Sequence, residues 1–71
     1  MTKNLMYFSE AIIGREYKWH HREGTVLPFY GYLEYPSDGG LPYIYDYQYR
    51  KKYYPIELYE CEEISDEIRA F

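Results

Sequence analysis

The 71-residue chain holds one cysteine, Cys61, and two histidines, His20 and His21. With a single thiol no disulfide forms within the chain, which fits an intracellular protein better than a small secreted one. A structural zinc site takes about four Cys or His ligands. Only three such residues exist here, and a strand would turn the adjacent histidines to opposite faces. No apolar run approaches the roughly 20 residues that cross a bilayer. The apolar stretch from Leu5 to Phe8 is too short for a secretory leader. A soluble, cytoplasmic chain is expected, in a host cytoplasm if the protein is viral.

Catalytic patterns are missing as well. The glycines make no Walker or dinucleotide loop, and Ser9, Ser37 and Ser65 lack the Gly-x-Ser-x-Gly setting. Cys61 stands among Glu60, Glu62 and Glu63, whose charge disfavours the thiolate that a Cys–His pair with His20 or His21 needs. The expectation is a non-enzyme with neither cofactor nor metal. A basic excess is also absent, since net charge is −4. Residues 1–55 carry seven Lys/Arg against six Asp/Glu. Residues 56–71 carry Glu57, Glu60, Glu62, Glu63, Asp66 and Glu67 against Arg69. This acidic end is either a solvated, solubilising segment or a surface that meets a basic partner.

What the chain has is aromatic bulk: twelve Tyr, three Phe and one Trp, 23% of residues. A chain this short exposes much of its surface and needs such rings to build a core. In Tyr43-Ile44-Tyr45-Asp46-Tyr47-Gln48-Tyr49 the tyrosines alternate with other residues. Period two places all four on one side of a strand, whereas a helix would scatter them.

Turn signals divide the rest. His21-Arg22-Glu23-Gly24, Pro36-Ser37-Asp38-Gly39-Gly40 and Arg50-Lys51-Lys52 separate candidate strands at about residues 11–20, 25–35, 42–49 and 54–62. Leu5 to Phe8 adds a short fifth. Pro28 and Gly31 predict a bulge or sharp curl in the second strand. The fold expected is all-β: a four- to five-stranded antiparallel meander over residues 1–63, curled into a small SH3-like barrel. Residues 64–71 are expected as an acidic turn or short helix packed on it, because Ser65 suits a cap and Ile64, Ile68 and Phe71 make one stripe. In the fourth strand Tyr54, Ile56 and Leu58 read as core. Ile44, Asp46 and Gln48 read as poor core, which turns the tyrosine side of the third strand inward for part of its length. Its exposure as a binding surface is the competing reading.

Elimination favours a non-catalytic protein-binding module. The expected contact residues are Trp19, Tyr30, Tyr32, Tyr43, Tyr45, Tyr47 and Tyr49, with Glu57, Glu60, Glu62 and Glu63 adding steering. Small acidic proteins of this type are common among virus- and mobile-element-encoded inhibitors of nucleases, restriction systems and CRISPR effectors. The implied partner is a protein, such as a host nucleic-acid-binding enzyme, blocked by steric occupation. Two alternatives stand beside this. Tyr17, Trp19, Arg50, Lys51, Lys52 and Tyr53 interleave rings with cations as single-strand nucleic-acid binders do. The tyrosines would also suit burial between copies of a homodimer or larger homo-oligomer.

Overall fold

In the computed structural model, which describes residues 5–64, the alternating runs become six strands. They are β1 (Met6–Tyr7), β2 (Glu16–His21), β3 (Phe29–Glu34), β4 (Tyr43–Asp46), β5 (Lys51–Tyr53) and β6 (Tyr59–Glu63). Short 3-10 turns at Phe8–Glu10 and Ile56–Leu58 complete the regular structure, and the described residues contain no α-helix. None of them forms a helix long and apolar enough to cross a membrane. The expected turn or helix at residues 64–71 lies, except for Ile64, outside the described residues.

All pairings are antiparallel and form one sheet in the order β1-β6-β2-β3-β4-β5. The meander therefore holds only from β2 to β5. The next strand, β6, returns to pair with β2, and β1 adds outside it. The sheet is open, not a closed barrel. It is nonetheless strongly curled. Tyr53 of β5 reaches Tyr59 of β6, ring centroids 5.9 Å apart, although three strands separate β5 from β6 in the sheet.

Gly31 shows where the curl is tightest. A Cβ there would lie 2.9 Å from the Tyr45 carbonyl oxygen and 3.0 Å from Ile44 Cγ2. The main chain of β4 thus leans over the inner side of β3, and only glycine leaves room for it. The register of β3 on β2 runs unbroken through Gly31, so the expected irregularity is a curl and not a bulge. Pro28 sits just before the strand, where its missing N–H breaks no ladder bond.

Two turn assignments shift. Chain reversal comes at residues 47–50, ahead of the expected Arg50-Lys51-Lys52, and Lys51 and Lys52 belong to a strand. The cause is Asp46, which is 3% exposed. Its carboxylate accepts the N–H of Gln48 at 2.9 Å and of Tyr49 at 3.1 Å, closing the turn before Tyr49 can join the strand. Arg50 takes a left-handed φ of 54° to re-enter. At the other end, residues 12–15 form a turn closed by Arg15 N–H donating to the Ile12 carbonyl, so the first long strand begins only at Glu16.

The core comprises Tyr17, Trp19, Phe29, Leu33, Ile44, Ile56, Tyr59 and Cys61. Its rings interlock: Phe29 stacks on Tyr53 at 3.8 Å and meets Tyr59 edge-on at 5.7 Å. Each such pair adds about 0.5–1.5 kcal/mol beyond area burial. The Trp19 indole N–H donates to the Gly31 carbonyl at 3.0 Å, so its polar atom is satisfied inside.

Two face assignments are corrected. In β4 the side that packs inward is Ile44 with Asp46, not the tyrosines. Asp46 is acceptable there because its Oδ1 accepts two main-chain N–H groups. Near the C-terminus Ile56 is core as expected, but Tyr54 and Leu58 are exposed and Tyr59 and Cys61 are buried. The 3-10 turn at Ile56–Leu58 breaks the period-two count, so strand parity carried from Tyr54 through Glu62 fails.

Candidate protein-binding face

Strand parity assembles the outer face. Register aligns Glu16, Tyr32, Tyr45 and Lys52 in one row across β2, β3, β4 and β5. Glu34 lies opposite Tyr43 in the next row. Tyr30 lies opposite Lys18, which lies opposite Glu62, and His20 lies opposite Glu60. The aromatic half of this face is therefore on β3 and β4, and the mixed-charge half on β2 and β6.

The rings do not stand singly. Tyr32 meets Tyr47 edge-on at 5.3 Å, Tyr47 meets Tyr45 at 4.5 Å, Tyr45 meets Tyr43 at 6.3 Å, and Tyr43 meets Tyr54 at 6.4 Å. Five rings form one continuous edge-to-face chain. Tyr47 lies beyond the end of β4, yet the turn folds it back over Tyr45. There its hydroxyl donates to Glu34 Oε2. Lys52 Nζ sits 4.6 Å from the Tyr43 ring centroid. A packed row of this kind fixes phenol rings that would otherwise rotate freely.

Electrostatics follow from Glu34. The hydrogen bond to its carboxylate, then burial, then its charge push the Tyr47 phenol up to about 12. Tyr43 is also raised, first by burial and then by Glu34. On the charged half His20 Nε2 contacts Glu62 Oε1 at 2.5 Å. His21 turns the other way, edge-on to Tyr59 at 5.1 Å, and its Nδ1 accepts the Glu23 N–H. Among the described residues no three of His, Cys, Asp and Glu gather into a metal-sized cluster.

Cys61 is fully buried, and burial first, then Glu10, Glu60 and Glu63, pushes its thiol up to about 11. This has a pH consequence. Cys61, Tyr47, Tyr43, Tyr53 and Tyr59 all hold their protons more tightly folded than unfolded. The unfolded chain therefore releases protons first as pH rises, and stability falls. The contribution is complete below the ordinary values of 9.0 for Cys and 10.0 for Tyr. It is lost as pH climbs through about 11 for Cys61 and about 12 for Tyr47. The urea midpoint is expected to drop across this alkaline window. A midpoint that stays level through it would contradict the buried thiol and the phenol–carboxylate bond.

Of the residues singled out in the sequence, Tyr30, Tyr32, Tyr43, Tyr45 and Tyr47 come together on the outer face, with Glu60 and Glu62 on its far side. Tyr49, 72% exposed, sits apart in the turn. Glu57 is exposed on the 3-10 turn at the end of the sheet, and Glu63 leaves the face to approach Arg15 at 3.7 Å. Trp19 is corrected: at 0% exposure it belongs to the core and not to the outer face.

The nucleic-acid set does not assemble. Tyr17 and Trp19 are buried, and Tyr53 stacks inward on Phe29, so none of the three rings is open to a base. Lys51 and Lys52 point to opposite sides of β5, over Tyr53 and Tyr43 respectively. Arg50 stays in the turn.

Glu34, Glu16 and Tyr54 were missed in the sequence. Glu34 is detectable there as the next member of the period-two series Tyr30, Tyr32, Glu34. Tyr54 is not, because it reaches the face from a loop. No protein-family model, curated protein or solved structure matches the chain.

Proposed function

We propose that this chain is a non-catalytic protein-binding module that docks through the outer face of its sheet, centred on Tyr32, Tyr43, Tyr45 and Tyr47. The observation that carries this reading is the continuous row of edge-to-face rings on the side away from the core. Tyrosine supplies large contact area with few rotatable bonds and is enriched at interfaces. Rings already locked against one another and against Glu34 lose little further entropy on binding. The chain's net charge of −4 biases approach towards basic surfaces. The mode of action this suits is steric occupation of a partner's own binding surface, as an inhibitor would use.

We further propose that the fold is SH3-like in its arrangement. The order β6-β2-β3-β4-β5, the 3-10 turn before the last strand and the curl at Gly31 support that reading. The nucleic-acid alternative loses its support with the inward turn of Tyr17, Trp19 and Tyr53.

The test is affinity capture with the immobilised chain, followed by reconstitution with the purified partner. The paired change Tyr45→Ala with Tyr47→Ala is expected to weaken that complex at least about 100-fold, as loss of two central aromatic anchors does. Leu27→Ala, on an 85% exposed residue outside the row, should leave it intact. Retention of the partner by the tyrosine variant would overturn the proposal. Light scattering at high concentration separates self-association: a dimer abolished by the same paired change would make the face a homodimer interface.

A further inference from the structure

Beside the row of rings lies a depression of about 670 Å³ lined by Glu16, Tyr32, Glu34, Tyr35 and Tyr47 together with Ile13. Two carboxylates and three phenol rings converge there. Glu34 is half-buried, and among the described residues it has hydrogen bonds from tyrosine but no ion-pair partner. Cation–ring contacts among the described residues fall on Tyr17, Tyr43 and Tyr53, and none falls on Tyr32, Tyr35 or Tyr47. The face already shows how such a ring takes a cation, with Lys52 Nζ 4.6 Å from the Tyr43 centroid. The depression offers that ring chemistry paired with a carboxylate.

We infer that this depression receives an arginine side chain from the partner protein. The inference rests on the protein-binding reading and names what the site recognises. A guanidinium fits better than an ammonium. It is flat, so it lies against Tyr32 or Tyr47, and it is forked, so it donates two parallel hydrogen bonds to Glu34. It is also weakly hydrated, which lowers the cost of leaving water for an aromatic-lined recess. Glu16 lies level with Tyr32 in the sheet and lines the same depression. The partner segment is therefore basic and arginine-bearing, complementary to a chain of net charge −4.

The probe is a blocked tetra-arginine peptide titrated into the intact protein at low ionic strength, followed by amide and ring NMR shifts. Shifts are expected at Tyr32, Glu34, Tyr35 and Tyr47. Tetra-lysine should bind several-fold more weakly, and tetra-citrulline, which keeps the shape without the charge, should not bind. Glu34→Gln and, separately, Tyr47→Leu should each weaken tetra-arginine at least about tenfold, because each removes half of the recognition. Glu57→Gln, away from the depression, should change it less than about twofold. Equal binding of arginine and lysine peptides, shifts centred on Glu57 and Glu63, or an unaffected Glu34→Gln variant would each overturn the inference. The two proposals fail separately. A captured partner lost with Tyr45→Ala and Tyr47→Ala but kept by Glu34→Gln leaves the face and removes the arginine. A captured partner weakened by Glu34→Gln but indifferent to Tyr45→Ala alone, which lies outside the depression, keeps the arginine and removes the ring row as the anchor.

Discussion

Replacing Trp19 by alanine is expected to remove about 3–5 kcal/mol, a large share of the protein's stability. Trp19 is 0% exposed and is the largest fully buried side chain. It lies in the middle of β2, which pairs with β6 on one side and β3 on the other. Removing a buried indole from a packed core costs about 3–5 kcal/mol through lost transfer energy and the cavity left behind. The change also leaves the Gly31 carbonyl without its indole donor. A domain of this size has about 4–10 kcal/mol of total stability at typical per-residue values, so the loss takes a large share of it. Urea denaturation followed by far-UV circular dichroism measures the effect. A loss below about 1 kcal/mol would mean that the indole is not the centre of the core. Trp19→Phe should fall between, since it keeps a ring but not the N–H.

The second large effect is expected at Gly31. Where the backbone conformation suits alanine, Gly→Ala stabilises by about 0.4–1 kcal/mol, because the unfolded chain loses freedom. Here the added methyl meets the Tyr45 carbonyl oxygen at 2.9 Å and Ile44 Cγ2 at 3.0 Å. A main-chain oxygen in a paired strand cannot step aside without disturbing the β3–β4 ladder. The clash therefore wins, with a net loss of about 1–3 kcal/mol. Its consequence reaches function, because β4 holds Tyr43 and Tyr45 in the ring row. Gly31→Ala should lower amide protection in β3 and β4 first and weaken partner capture even in the fraction that stays folded. A stabilised variant with unchanged capture would show that the curl is looser than this.

Much of the architecture can be read from composition, turn signals and alternation. The strands β2 and β3 follow from their composition and turns, but the inward side of β2 does not: Trp19 reads as a contact residue, and Tyr17 with it in the nucleic-acid set, and both are core. The shared side of Tyr43 and Tyr45 follows from their spacing. Which side faces inward does not follow, because Asp46 looks like surface until its carboxylate is seen to hold two main-chain donors of the turn. A buried, locally satisfied acid outweighs the simple ranking of apolar residues. The same bonds end β4 at Asp46 and free Lys51 and Lys52 to start a strand, against their appearance as a charged turn. Parity near Ile56 is lost through a three-residue 3-10 turn, which period-two counting cannot register. The position of β6 between β1 and β2 is a non-local choice, set by how Tyr59 and Cys61 meet Trp19 and Phe29. For the site, the tyrosines announce themselves in sequence. Glu34 gains its role only when the turn carries Tyr47 back to it.

Everything functional depends on the register of β4, since a slip of one residue would send Tyr43 and Tyr45 into the core and Ile44 to the surface. The direct measurement is an NMR structure-in-solution test that combines nuclear Overhauser contacts with a soluble paramagnetic broadening agent. The expected result is main-chain contact between Tyr32 and Tyr45 and between Ile44 and Tyr53. Broadening should affect the Tyr45 and Tyr47 rings, while the Ile44 methyls and the Trp19 indole stay sharp. Broadened Ile44 methyls, with the Tyr43 and Tyr45 rings protected, would contradict the outward tyrosine face and the docking role built on it.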